Sequence, residues 1–191
     1  LLRDDLHGRS RKDRPDQHHG PADPCGSDRR FHRRRIAGKL QQEIEAVARK
    51  DAGCERLMSV PGIGPIISSA TVAAIGTGEV FAKGRDFAAW LGLVPRQIST
   101  GDRTILGKIS KRGNCYLRAL FVQAAWVVLI KPQSWERHGL KSWIEARKKR
   151  LHHNVLAIAL ANKLARIAWA VLNKERAFEC VKTNETASRP A

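Results

Sequence analysis

From Ile36 onward, apolar residues recur at the period of an α-helix. Leu40, Ile44 and Val47 stand at helical spacing with Gln41, Gln42, Glu43 and Glu45 between them, which predicts a helix over residues 35–50. The break Asp51-Ala52-Gly53 leads into a short helix over residues 54–59. Ile66, Ile67, Ala70, Val72, Ala73 and Ala74 predict another, ending near Gly76-Thr77-Gly78. Between these two runs Val60-Pro61-Gly62-Ile63-Gly64-Pro65, where glycines can bare their amides and a proline suits a first helical turn. Helix, Gly-Ile-Gly corner, helix is the outline of a helix-hairpin-helix. The corner amides and the next helix's N-terminus suit a phosphate of a nucleic-acid backbone. A tight αα-corner without a ligand fits the same residues.

Further along, Asp86 is a plausible N-cap for a helix over residues 87–91, closed by Gly92 and Pro95. Asn114 is placed to cap a helix over residues 115–130, whose apolar face (Leu117, Leu120, Phe121, Ala124, Ala125, Val128) predicts burial, and Pro132 ends it. The last helix, over residues 151–173, carries Leu156, Leu160, Leu164, Ile167 and Val171 on one face. Residues 96–114 are the least core-like part of the body. They hold three glycines and five basic residues among several hydroxyls, with Asp102 the only acid. They read as a basic Ser/Gly-rich loop or short hairpin lying against an anion. The fold class is therefore all-α, a helical domain over residues 36–174 with a helix-hairpin-helix-like corner and this one basic loop. Residues 1–35 hold ten basic and six acidic residues, three prolines and only six apolar residues, so a disordered segment is expected there. Residues 175–191 read as a flexible tail.

Charge narrows the partner. The chain has 35 Lys+Arg against 18 Asp+Glu, a formal charge of +17, and such a surplus points to a polyanion, with nucleic acid the default. A membrane surface is the competitor. No apolar run was expected to reach the roughly 18 residues of a spanning helix, and the first residues lack the apolar core of a signal peptide. Cys25, Cys54, Cys115 and Cys180 are far apart without C-x-x-C pairing, which argues for reduced thiols in a cytoplasmic protein rather than a zinc ribbon or disulfide framework. His18-His19 has no further ligand at metal spacing, and no metal residues are assigned. Trp90, Trp126 and Trp169 fall in apolar helical runs and read as core. Trp135 and Trp143, set among Arg137, Lys141, Arg147, Lys148, Lys149 and Arg150, are candidates for base contacts.

Several stretches, taken together, resemble a known family. They are Leu57-Met58-Ser59-Val60-Pro61-Gly62-Ile63-Gly64-Pro65, Phe87-Ala88-Ala89-Trp90-Leu91-Gly92-Leu93-Val94-Pro95-Arg96-Gln97, Ser99-Thr100-Gly101, and Gly107-Lys108-Ile109-Ser110-Lys111-Arg112-Gly113-Asn114. Leu117-Arg118, Ala161-Asn162-Lys163 and Ala165-Arg166-Ile167-Ala168-Trp169 complete the set. In this order they closely resemble the C-terminal domain of the Piv/MooV-type insertion-sequence transposases, the one-ten insertion-sequence family, over about residues 36–174.

The resemblance implies a DNA recombinase with two catalytic parts. A RuvC-like N-terminal domain supplies four acidic residues for a divalent metal (Mg). The C-terminal domain supplies a serine that attacks the DNA backbone, and a guide RNA chooses the DNA partners. Ser99 matches that serine and Thr100 stands second. Asp102 and Arg103 replace a glycine and a lysine frequent in the family, which keeps one cation and brings a carboxylate near the phosphate. The RuvC-like part is not legible in residues 1–35, so a truncated copy, with no cofactor bound by this chain itself, is the expectation. DNA, a guide RNA and further copies of the chain in an active complex are the implied partners, in a bacterial, nucleoid-associated setting. The expected DNA-binding residues are Gly62, Ile63 and Gly64 at the corner, with Arg96, Arg103, Lys108, Lys111, Arg112 and Arg118. Apart from the resemblance, Ser99 fits a turn just as well. A non-catalytic helix-hairpin-helix DNA-binding module and a vestigial fragment are the competing functions.

Overall fold

The computed structural model describes residues 24–100, 103–131 and 139–179. Among these the elements are α1 (Pro24–Lys50), α2 (Ala52–Met58), α3 (Pro65–Ile75), α4 (Gly84–Trp90), β1 (Pro95–Thr100), β2 (Arg103–Ile109), α5 (Cys115–Ile130), α6 (Lys141–Lys148) and α7 (His153–Asn173). The chain divides into two units, Leu1–Gly38 and Lys39–Ala191, and the division falls within α1. That helix begins at Pro24, eleven residues before the expected start at Arg35. The apolar stripe that predicts it stays at the surface. Ile36, Leu40 and Val47 are exposed, and Ala48 is its buried residue among those described.

The body is helical, as expected, and α7 is its axis. Leu156, Ala157, Leu160, Ala161, Leu164, Ala165, Ala168, Val171 and Leu172 of α7 are buried. Four other helices (α2, α4, α5 and α6) pack against it. The alanines among those nine let α4 and α5 approach closely, and Phe87, Phe121 and Leu57 fill the remaining space. By length and composition α7 is apolar enough to cross a membrane, which corrects the expectation that no run qualifies. Its buried face is the core of this domain, and Lys163 and Arg166 interrupt the apolar sequence at its middle. Such a helix is hydrophobic because other helices cover it.

Asn114 caps α5 as its position predicts, its Oδ1 accepting from the Leu117 amide at 3.0 Å. Asp51 does the same for α2 through the Gly53 amide at 2.9 Å. Asp86 does not cap α4. That helix starts two residues earlier, after Lys83, with Asp86 in its first turn. Gly84 explains the earlier start. A Cβ there would lie 2.9 Å from Trp169 Cε3 and 3.1 Å from the Arg166 carbonyl oxygen, so only glycine lets this turn press on α7. Among residues 175–179, the described part of the expected tail, Phe178 packs against the core and its amide donates to Ser59 Oγ at 2.7 Å. Trp169 reads as predicted: it packs against the core and its Nε1 donates to the Gly78 carbonyl at 2.9 Å. Trp90 is 37% exposed and rests on Phe81 and Phe87.

The basic stretch takes the second of its two expected forms, a short hairpin. Residues 96–114 hold a two-stranded antiparallel sheet, β1 paired with β2, in register Gln97↔Leu106, Ile98↔Ile105, Ser99↔Thr104 and Thr100↔Arg103, with an irregularity between Pro95 and Gln97. β-branched residues on both strands (Ile98, Ser99-flanking Thr100, Thr104, Ile105) favour extended backbone where helical periodicity is absent. The turn residues 101–102 lie outside the described residues, as do Trp135 and Arg137.

Candidate nucleic-acid interface

The hairpin is an arm whose base is fastened to the helical body. Four successive carbonyls, from Leu91 to Val94, each have a donor. The Leu91 carbonyl accepts from Arg118 Nη1 at 3.0 Å and the Gly92 carbonyl from the Lys111 amide at 3.1 Å. The Leu93 carbonyl accepts from Asn162 Nδ2 at 3.2 Å and the Val94 carbonyl from the Ser110 amide at 2.9 Å. Arg118 Nη1 also donates to the Arg112 carbonyl at 3.3 Å. Gly92 (φ +72°) and Gly113 (φ +82°) adopt the left-handed conformation. They lie where a Cβ would collide with the backbones of Arg112 and Trp90 respectively. Glycine, asparagine and arginine at these positions therefore build the joint. Beyond it Arg96 to Ser99 and Arg103 to Lys108 are exposed, including Ile98, Ile105 and Leu106.

Ser99 stands in the middle of β1, exposed, with its Oγ accepting from Gln97 Nε2 at 3.0 Å. Side chains alternate across a strand, and directly paired residues share a face. The register thus places Gln97, Ser99, Thr104 and Leu106 on one face, and Ile98, Ile105 and Arg103 on the other. The five cations expected around Ser99 are not gathered there. Arg103 lies on the opposite face, Lys108 falls in the irregular stretch where no pairing fixes its face, and Arg96 reaches back to the Ser110 carbonyl at 3.3 Å. Lys111 (φ +55°) and Arg112 lie at the base, exposed, and Arg118 is occupied by carbonyls.

The Gly-Ile-Gly corner is likewise only partly open. Ile63 is buried in the core. Gly62 has φ +81°, and a Cβ on it would come within 2.7 Å of both the Ala124 carbonyl oxygen and Val128 Cγ2 of α5. Gly64 has nothing within 4 Å, and it leads α3 without a side-chain cap. Of the three corner residues, Gly64 is the one free to meet a ligand.

Sequence reasoning missed a second set of cations. Lys163 and Arg166, one turn apart on α7, line two adjoining clefts. One, of about 560 Å³, is completed by Lys83, Arg85 and Trp169; the other, of about 350 Å³, by Trp143, Arg147 and the hairpin base at Leu93, Pro95 and Ile109. The Arg147 guanidinium carbon sits 4.2 Å from the centre of the Trp143 ring and Lys163 Nζ 4.9 Å from it. Burial first, then the charges of Arg147 and Arg166, pull the Lys163 ammonium below its usual lysine range. The signal was present: two cations three residues apart inside an otherwise apolar helix. Among the described residues no group of three His, Cys, Asp or Glu side chains converges as a metal site, so nothing here fits the divalent metal that the resemblance implies.

Residues 54–139 match the profile described as "Transposase IS116/IS110/IS902 family". The chain is 47% identical over 144 residues to "Probable family 20 transposase" of Pseudomonas aeruginosa, covering 75% of this chain and 42% of that protein. It is 42% identical over 148 residues to "Transposase for insertion sequence element IS1328" of Yersinia enterocolitica, covering 74% and 44%. With "Transposase for insertion sequence element IS1111A" of Coxiella burnetii it shares 36% over 152 residues, covering 78% and 41%. The chain thus spans less than half the length of these curated relatives. The profile covers α2 through the hairpin and α5, where the arm and its fastening lie, and with these relatives it establishes that the chain belongs to the IS116/IS110/IS902 family of insertion-sequence transposases.

Proposed function

We propose that this chain is the DNA-holding, serine-bearing part of an insertion-sequence transposase. The observation that carries the reading is the exposed arm: Ser99 is held clear of the body on a strand whose base is fixed by Arg118, Asn162 and the Lys111 and Ser110 amides. Rigid support at the base with solvent around the tip suits a group that must reach a substrate too large to enter a pocket.

In this mechanism Ser99 Oγ gives its proton to a base and attacks a DNA phosphorus. One P–O bond to deoxyribose breaks, and the displaced sugar oxygen takes up a proton. The phosphoserine diester keeps the energy of the original phosphodiester, so a free DNA hydroxyl reverses the step on a new strand and returns the proton to Ser99. The Gln97 amide donates to Ser99 Oγ and cannot take its proton. The base must come from outside the described residues, in line with an acidic partner domain acting beside this one. Lys108, exposed on the neighbouring strand, is the cation assigned to meet charge on the phosphate.

The chain, supplied with the N-terminal domain of a full-length relative, is incubated with nicked suicide DNA. A covalent protein–DNA adduct is expected for the wild type and for Thr100→Ala, and none for Ser99→Ala. An adduct that survives Ser99→Ala overturns the nucleophile assignment. That Gln97, the described partner of Ser99, only donates to it favours one other reading, a DNA-binding module without chemistry of its own. Under it no adduct forms with any variant, while DNA is still bound with steep salt dependence.

A further inference from the structure

The cations that expectation placed on the arm are spread along it, whereas a second group lies around α7. Lys163 and Arg166 form the ridge between the two clefts. Lys83 and Arg85 stand on one side and Arg147 on the other. No carboxylate among the described residues is within ion-pairing distance of Arg147, Lys163 or Arg166, and no acid lines either cleft. Like charges are held together here without a counter-charge, which costs free energy in the unliganded protein.

Trp143 holds this arrangement in place. Its ring carries both Arg147 and Lys163, so it orients two cations and is not free to stack a base. Ile144, beside it, is buried and anchors α6 against α7. Asn162, next to Lys163, fastens the hairpin through the Leu93 carbonyl. The cluster and the arm therefore share one helix as their mount.

We infer that the two clefts along α7 form one binding track for successive phosphodiesters of a nucleic-acid strand, with Lys83, Arg85, Arg147, Lys163 and Arg166 as its cations. Five cations over two joined clefts exceed what a single phosphate would need and match a polymer. The apolar wall of Leu93, Pro95, Ile109 and Ile158 offers contact to sugar faces without hydrogen bonds that would read a base. Binding is then independent of sequence. The track rests on the reading of the chain as a nucleic-acid-holding domain, and adds a surface remote in sequence from Ser99.

The test measures binding of the full chain to a 20-base-pair DNA duplex and to a single-stranded RNA of the same length, across a salt series. The variants are Arg166→Gln alone, Arg147→Gln with Arg166→Gln, and Arg103→Gln with Lys108→Gln on the arm. Each lost phosphate contact should flatten the log–log salt slope by about one, so the Arg147/Arg166 pair should flatten it by about two. Arg166 is exposed, and its single substitution keeps the test valid should the pair disturb folding. Flattening on DNA alone, or on RNA alone, identifies which polymer occupies the track. Unchanged slopes for both α7 variants, with weakened binding for the arm pair, overturn the track and leave the proposed function standing. No binding of either polymer by the wild type overturns both.

Discussion

Two glycines two residues apart in the corner should respond very differently to the same substitution. Gly62→Ala places a methyl 2.7 Å from the Ala124 carbonyl oxygen and from Val128 Cγ2, at a backbone angle of φ +81°. An L-residue in the left-handed region costs roughly 1–2 kcal/mol. Overpacking against a helix backbone costs about 1–3 kcal/mol, because the carbonyl belongs to the α5 ladder and cannot swing aside. The smaller entropy of the unfolded alanine chain returns about 0.4–1 kcal/mol. The net destabilisation is therefore roughly 1–5 kcal/mol, a sizeable share of the roughly 5–15 kcal/mol available to a domain. Gly64→Ala meets nothing within 4 Å and has an ordinary φ of −105°, so its effect should stay within about 0.5 kcal/mol. Urea denaturation followed by tryptophan fluorescence gives both values, and thermal melting should show Gly62→Ala lower by at least about 2–4 °C. Equal midpoints for the two variants would refute the packing of this corner on α5.

Three other outcomes follow from named contacts. Lys163→Met should raise the melting temperature at neutral pH. Lys163 has its folded pKa below its unfolded one, so the folded protein binds fewer protons between those values and its penalty fades as pH rises through the folded pKa; a lower melting temperature would show that the ammonium's contact with Trp143 outweighs burial and repulsion. Burial, and then Asp51, push the Cys54 thiol up to about 11, so iodoacetamide at pH 8 should modify exposed Cys115 and spare Cys54 until urea is added, as peptide mass mapping would reveal. For the same reason the Cys54 contribution to stability is present below about pH 9, where the unfolded thiol is still protonated, and is lost as pH climbs towards 11. Asn162→Ala leaves the Leu93 carbonyl without its donor, at a cost of about 1–3 kcal/mol, and limited proteolysis should then cut the arm faster; an unchanged cleavage rate would mean the arm does not depend on that bond.

The helices were legible because their signals are local. Asn114 before an apolar run, and Leu156, Leu160 and Leu164 at one face, fix α5 and α7 with hardly any reference to the rest of the chain. The start of α4 was not legible. Asp86 looks like a cap, and what moves the boundary to Gly84 is the close approach of Trp169 and Arg166, about eighty residues later. The hairpin was legible only as an alternative to a loop, for a similar reason. Its strands are short and exposed on both faces, so no alternation of apolar and polar residues marks them, and the pairing is set by the joint beneath. Ile63 looked like a surface ligand from its glycine neighbours, yet it fills the core, because a corner needs an apolar residue pointing inward as much as amides pointing out.

The motif residues therefore divide by task in a way that their order along the chain conceals. Gly92, Gly113, Arg118 and Asn162 are spread over seventy positions, and all four serve the same joint by admitting a backbone or donating to a carbonyl. Ser99 and Lys108 project from what that joint supports. A scaffold that commits so many side chains to fixing the root of an arm, while among the described residues Gln97 only donates to the hydroxyl it displays, separates positioning from chemistry. If so, repairing the joint matters before any test of the nucleophile. A variant such as Arg118→Ala should lose adduct formation as fully as Ser99→Ala while freeing the arm to proteolysis, whereas Ser99→Ala should leave the arm as resistant as the wild type. Loss of adduct in Arg118→Ala with an arm still protected would instead place Arg118 on the DNA.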